Sequence, residues 1–124
     1  MILIDSCGWL EYYTDGPLAD KYYSYLKKTR EVIVPTIVLY EVYKKIKREA
    51  TEEQAILAVA QMQSSLVVPL KDSVALQAAD VSLQYSLQMA DAIVYATARS
   101  ENALLVSSDE HFKGLENVDY IKKV

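Results

Sequence analysis

Met1-Ile2-Leu3-Ile4-Asp5-Ser6 is a short apolar run closed by an acid and a hydroxyl, and its reading decides the fold. Such a run suits a buried strand, and Asp5-Ser6 suits the start of a capped helix over Gly8 to Tyr13. Ala103 to Val106, followed by Ser107-Ser108-Asp109, has the same form. Val32-Ile33-Val34, bounded by Pro35, and Leu66 to Val68 read as two more buried strands, and Val118 to Ile121 as a last one.

Between these runs the apolar period becomes helical. Asp15-Gly16-Pro17 reads as a turn with Pro17 at the first helical position, and Leu18, Tyr22, Tyr25 and Leu26 follow on one face up to Lys27-Lys28. Thr36 is expected to cap a helix carrying Leu39, Val42, Tyr43 and Ile46. Thr51-Glu52-Glu53-Gln54 has capping-box spacing, and Ile56, Leu57, Ala60 and Met62 continue the pattern. Asp72 is expected to cap a helix through Val74, Leu76, Ala79 and Leu83. Met89 to Ala98, apolar on nearly every face apart from Asp91 and Thr97, is expected to be buried. Strands separated by helical segments pair in parallel through crossovers. The expected fold is therefore a three-layer α/β/α domain, one unit over residues 1–124, with a central, mainly parallel sheet of four to five strands.

Composition narrows the function. A chain of 124 residues, 52% hydrophobic with 3 Gly and 3 Pro, suits one compact core. Cys7 stands alone, so no intrachain disulfide forms, and no Cys/His cluster surrounds the lone His111. Neither a signal-peptide core nor a membrane span is read from the apolar runs, and a reducing cytoplasm is the expected compartment. The net charge of -4 argues at first against a polyanion as ligand.

That objection weakens once the acids are placed. In open parallel sheets the ligand site lies beyond the carboxyl ends of strands. Asp5 and Asp109 fall just there, while Glu41 follows Ile37-Val38-Leu39 and Asp91 interrupts an apolar helix near its beginning. Helix beginnings lie on the same side of the sheet as strand ends, so four acids distant in sequence can converge. Carboxylates ~4 Å apart repel by about 4 kcal/mol per pair at an effective dielectric near 20, which favours a divalent cation among them. All-oxygen ligation selects Mg²⁺ or Mn²⁺, and phosphodiester hydrolysis is the chemistry such a centre serves. Setting the four acids aside brings the net charge from -4 to zero.

Ile2-Leu3-Ile4-Asp5-Ser6, Pro35 with Glu41, Ala90-Asp91-Ala92-Ile93-Val94 with Ala96-Thr97-Ala98, and Leu105-Val106-Ser107-Ser108-Asp109 with Phe112 form four blocks in order. Together they resemble the PIN-domain ribonucleases, in particular the VapC-type toxins of type II toxin–antitoxin systems. The resemblance implies Asp5, Glu41, Asp91 and Asp109 as catalytic and metal-binding acids, with Ser107 and Ser6 as supporting hydroxyls. It also implies cleavage of single-stranded RNA to 5′-phosphate and 3′-hydroxyl ends, a homodimer, and neutralisation by a VapB-like antitoxin. Where relatives often carry Thr, this chain has Ser107, a difference of one methyl.

Each block has a structural reading beside the chemical one. Asp5 and Asp109 can be helix caps, Asp91 a first-turn acid, and Glu41 an ion-pair partner of Lys44 and Lys45. Lys44 to Arg48 reads as a solvated helix face, Tyr22, Tyr23 and Tyr25 as an interface, His111 as a structural residue in a surface turn, and Cys7 as a small buried residue. A haloacid-dehalogenase phosphatase needs a second Asp where Cys7 stands, and a receiver domain needs an acid where Pro69 and Lys71 follow the third strand. The surviving alternative is a PIN-like module that binds RNA or protein without cutting.

Overall fold

The computed structural model describes residues 1–124. Five strands, β1 (Ile2–Ile4), β2 (Val32–Pro35), β3 (Leu66–Val68), β4 (Leu104–Ser107) and β5 (Val118–Tyr120), form one sheet in the order β3-β2-β1-β4-β5. Every pairing is parallel, with Leu3 opposite Ile33 on one side and Leu105 on the other. The sheet is thus wholly parallel and has the fifth strand.

Six helices supply the crossovers: α1 (Ser6–Tyr13), α2 (Ala19–Leu26), α3 (Thr36–Glu49), α4 (Glu52–Met62), α5 (Asp72–Tyr85) and α6 (Met89–Ser100). From β1 the chain steps through β2 to β3, then returns past β1 to β4. Right-handed crossovers place α1 to α4 on one face and α5 with α6 on the other, giving three layers. The direction of travel reverses between β1 and β4, which makes their carboxyl ends the topological switch point.

Leu3, Ile4, Ile33, Val34, Leu105 and Val106 are wholly inaccessible to solvent, as the continuous apolar runs require of strands covered on both faces. Residues Ala92 to Ala98 of α6 are all buried, and Tyr95 stacks on Phe112. Thr97, the polar exception, satisfies its hydroxyl by donating to the Ile93 carbonyl, 2.7 Å away.

Several local expectations are corrected. Pro17 stands outside α2, which begins at Ala19. Thr36 and Asp72 are first helical residues rather than caps, with Pro35 and Lys71 in the cap positions and no side-chain cap bond. Thr51 does cap α4, accepting from the Gln54 N–H at 3.1 Å. On α4 and α5 the inward faces are Ala55, Ala58 and Met62, and Val74, Ala78 and Val81. Ile56, Leu57, Leu76 and Leu83 point outward, Leu83 with 85% of its surface exposed. Small residues let these helices approach the domain closely, so size at the contact outweighs hydrophobicity in choosing the face. Tyr22 is not an interface residue: it is fully buried and shares a 2.5 Å hydrogen bond with Ser108. Tyr25 donates to Asp119, while Tyr23 stacks on Tyr12 and remains half exposed.

Gly8 is where α1 comes closest to its neighbours. A Cβ there would overlap the Tyr22 ring and lie 2.6 Å from Ile4 Cγ2, both part of the core. Gly8→Ala is expected to cost about 1–3 kcal/mol through overpacking, read as a lower urea midpoint at unchanged slope. An unchanged midpoint would mean that α1 can slide off α2 without loss. None of the helices is long and apolar enough to cross a membrane.

Candidate metal centre at the sheet switch point

Asp5 leaves β1 and caps α1. Its Oδ1 accepts from the Ser6 N–H at 2.7 Å, and its Oδ2 accepts from the Ser107 hydroxyl at 3.0 Å. The same Ser107 oxygen accepts from the Asp109 N–H at 3.0 Å. One buried serine at the end of β4 therefore ties the first acid to the backbone of the last, across the β1–β4 boundary. Cys7 flanks this link, with its sulfur 3.5 Å from the Ser107 oxygen, and burial pushes its thiol up to about 11.

Only 5% of Asp5 is exposed, and this burial is the main reason its carboxyl rises to about 6. The bonds from Ser6 and Ser107 pull it down, and the charges of Asp91 and Asp109 push it further up. Glu41, half-buried in the second turn of α3, is pushed up to about 7, first by desolvation and then by the charge of Asp5. The Ser6 hydroxyl favours its ionised form, while Asp91 and Asp109 oppose it. Asp91 in the first turn of α6 is likewise raised, by desolvation and then by Asp109. The four acids, from four different elements, thus lie in one another's fields.

Nothing positive from a lysine or arginine answers them. Lys44 lies 3.3 Å from the Tyr40 hydroxyl, and Lys45 pairs with Glu49 at 3.2 Å, so neither takes up the ion pair with Glu41 that helical spacing allowed. The side chain that does reach two of them is His111. Its Nδ1 lies 3.2 Å from Asp91 Oδ2 and 2.9 Å from Asp109 Oδ1. His111 stands in the exposed turn expected of it, and its ring nonetheless reaches the cluster. The sequence signal was available: it stands two residues beyond Asp109 and next to Phe112, whose buried ring fixes the turn.

The donors suit a divalent cation: one ligand atom each from Asp91, Asp109 and His111 lies within 4.8 Å of the others, and Asp5 and Glu41 feel the charges of Asp91 and Asp109. Beside the cluster, Ser6, Leu10, Tyr40, Glu41, Lys44, Lys45 and Arg48 line a shallow groove. The basic face of α3 is solvated as expected, yet it borders the acids. A larger 550 Å³ cavity between α1 and α3 adjoins this groove at Leu10 and Lys45, and includes Cys7 and Ser108.

The chain is thus an all-parallel α/β domain that gathers carboxylates at its switch point. The particular family is settled by the sequence pattern: the model of the PIN domain matches residues 2–117, and the chain belongs to that family. Among solved structures it is similar to a toxin–antitoxin complex from Klebsiella pneumoniae, at 18% identity over 99% of this chain and 100% of that one, with a TM-score of 0.83. It is similar to VapC20 of Mycobacterium tuberculosis, a sarcin–ricin-loop-cleaving toxin, at 16% identity, 95% and 97% coverage, and a TM-score of 0.79. VapBC2 from Rickettsia felis, bound to a DNA fragment from its promoter, gives 20% identity, 98% coverage of both chains, and a TM-score of 0.77. At these identities the likeness is one of fold. No curated protein sequence matches the chain.

Proposed function

We propose that this protein is a metal-dependent endoribonuclease that hydrolyses single-stranded RNA, and the toxin of a VapBC-type pair. The observation that carries this reading is that Asp5, Glu41, Asp91 and Asp109 lie in one another's fields at the switch point, with burial and their mutual charge raising the carboxyls of Asp5, Glu41 and Asp91. Membership of the PIN family and the fold shared with VapC toxins support it.

Asp5, Glu41, Asp91 and Asp109 would hold Mg²⁺ or Mn²⁺. When bound, such an ion supplies Lewis-acid chemistry, drawing charge from the phosphate oxygens and making site water more acidic. Ser107 keeps one Asp5 oxygen fixed and the Asp109 backbone in place. Ser6 presents its N–H to Asp5 and its hydroxyl to Glu41. The Glu41 carboxylate, beside the Ser6 hydroxyl at the edge of the groove, would help hold the ion and orient its water. Water adds to phosphorus and gives up a proton, the bond to the 3′ oxygen breaks, and that oxygen takes a proton from solvent, so the products carry 5′-phosphate and 3′-hydroxyl ends. Lys44, Lys45 and Arg48, the last two shared with Glu49, border Glu41 as the basic side chains nearest the site for an RNA backbone, and the half-exposed Tyr40 ring carries Lys44 on one face.

Partner binding has its own support. Ile56 and Leu57 on α4, Leu76 and Leu83 on α5, and Met89 are large apolar side chains left more than half exposed. A homodimer contact and a VapB-like antitoxin are the occupants we assign to such surfaces, in a cytoplasmic setting.

The test is cleavage of labelled single-stranded RNA by purified, antitoxin-free protein. Cutting is expected with Mg²⁺ or Mn²⁺, to be lost in EDTA and to return when the metal is restored. Cutting indifferent to EDTA would overturn the metal requirement. RNA binding without cutting across diverse substrates and both metals would favour the non-catalytic module.

A further inference from the structure

We propose that His111 is a nitrogen ligand of the metal centre and that it sets the ion the site prefers, Mn²⁺ over Mg²⁺. The inference rests on the proposed metal site and adds to it a donor of a different chemical kind.

The spacing is that of ligands sharing one ion. Two donors each about 2.1 Å from an ion and at right angles stand about 3 Å apart, and opposite donors stand about 4.2 Å apart. His111 Nδ1 is 3.2 Å from Asp91 Oδ2 and 2.9 Å from Asp109 Oδ1, and one ligand atom from each of the three residues lies within 4.8 Å of the others. An ion can thus enter this triangle with small side-chain adjustments.

The backbone that presents the ring is held on both sides. The Asp109 N–H donates to Ser107, the His111 N–H donates to Asp109 Oδ1 at 2.9 Å, and Phe112 is wholly buried against Tyr95. The imidazole itself is 65% exposed, so the mouth of the cluster is open to an arriving ion. Nδ1 meets no polar group other than the two carboxylates, and both of those are assigned to the metal. Imidazole suits Fe²⁺ and Zn²⁺ best, and Mn²⁺, which stands at the weak end of the same first-row series, still accepts a nitrogen donor more readily than Mg²⁺, which holds to oxygens and keeps its waters. A nitrogen at the rim therefore shifts preference away from Mg²⁺, while Asp5 and Glu41 keep the inner side all-oxygen.

The opposing possibility is concrete: His111 is a stand-in cation that pairs with Asp91 and Asp109 and is displaced by any metal. The two differ in what His111→Ala does. If His111 is a ligand, Mn²⁺ affinity measured by calorimetry falls about tenfold or more, while Mg²⁺ affinity changes by less than about threefold. The Mn²⁺ complex of the unaltered protein also shows nitrogen-14 coupling in pulsed electron paramagnetic resonance, absent from the variant. His111→Gln, which restores an oxygen donor at the same position, is expected to narrow the preference in the same direction. Equal or tighter binding of both ions by His111→Ala, with no nitrogen coupling in the unaltered protein, would overturn the inference and leave the all-carboxylate site standing. Failure of the unaltered protein to bind Mn²⁺ at all would overturn the metal-dependent reading together with it.

Discussion

Asp5→Asn is expected to lower metal-dependent RNA cleavage by at least about a hundredfold in kcat/KM and, in the same variant, to raise the melting temperature of the metal-free protein. The two effects share one cause. Asp5 is 5% exposed and accepts bonds from the Ser6 N–H and the Ser107 hydroxyl, yet no lysine or arginine pairs with it. Its carboxyl therefore rises from an ordinary 3.8 to about 6. At pH 8 the folded protein must keep this buried group ionised, at a cost of roughly 3 kcal/mol, taking about 1.4 kcal/mol for each tenfold change in proton affinity. Asparagine keeps the shape and the oxygen that caps α1, and removes the charge. Residual activity within tenfold of the unaltered protein would remove Asp5 from the catalytic set. A lower melting temperature at pH 8 would show that the carboxylate is stabilised by something other than the contacts described.

Stability of the metal-free protein is expected to fall as pH rises from about 4 to 8, and added Mn²⁺ is expected to restore it at pH 8 but not at pH 4. Asp5 rises to about 6 from 3.8 and Glu41 to about 7 from 4.5, so the folded state binds their protons more tightly than the unfolded state does. The resulting stabilisation is fully present below the ordinary carboxyl values. It is lost as pH climbs through about 6 for Asp5 and about 7 for Glu41. Asp5 accounts for roughly 3 kcal/mol of this loss, and Glu41, only half-buried, for less, because solvent screens it. A cation bound only by the folded state reverses the loss by mass action once the carboxylates are free of protons. Urea midpoints across this range, with and without Mn²⁺, give the answer. A flat profile insensitive to the ion would mean that the acids are too far apart, or too well solvated, to constitute a site.

Much of the architecture was legible along the chain because its signals are local. Apolar runs at Met1 to Ile4, Val32 to Val34, Leu66 to Val68 and Ala103 to Val106 cannot sit in water and are too short for helices, and the helical stretches between them favour strands that run parallel. Asp5 and Asp109 could be placed beyond strand ends for the same reason, since only the neighbouring residues had to be read. Facing was harder. Ile56, Leu57, Leu76 and Leu83 carry more apolar surface than Ala55, Ala58 and Ala78, yet the alanines point inward.

The sequence by itself determined which elements form, that they pair in parallel, and which acids stand at the ends that share one edge of the sheet. Tertiary structure decided what those acids touch. Ser107 reaches Asp5 from the far end of the chain, Tyr22 closes on Ser108, and the ring of His111 meets Asp91 as well as Asp109. The physical reason is that hydrophobic periodicity is a property of adjacent residues. A hydrogen bond or a shared ligand position depends on angstrom-scale distances between side chains that only the packed crossovers bring together.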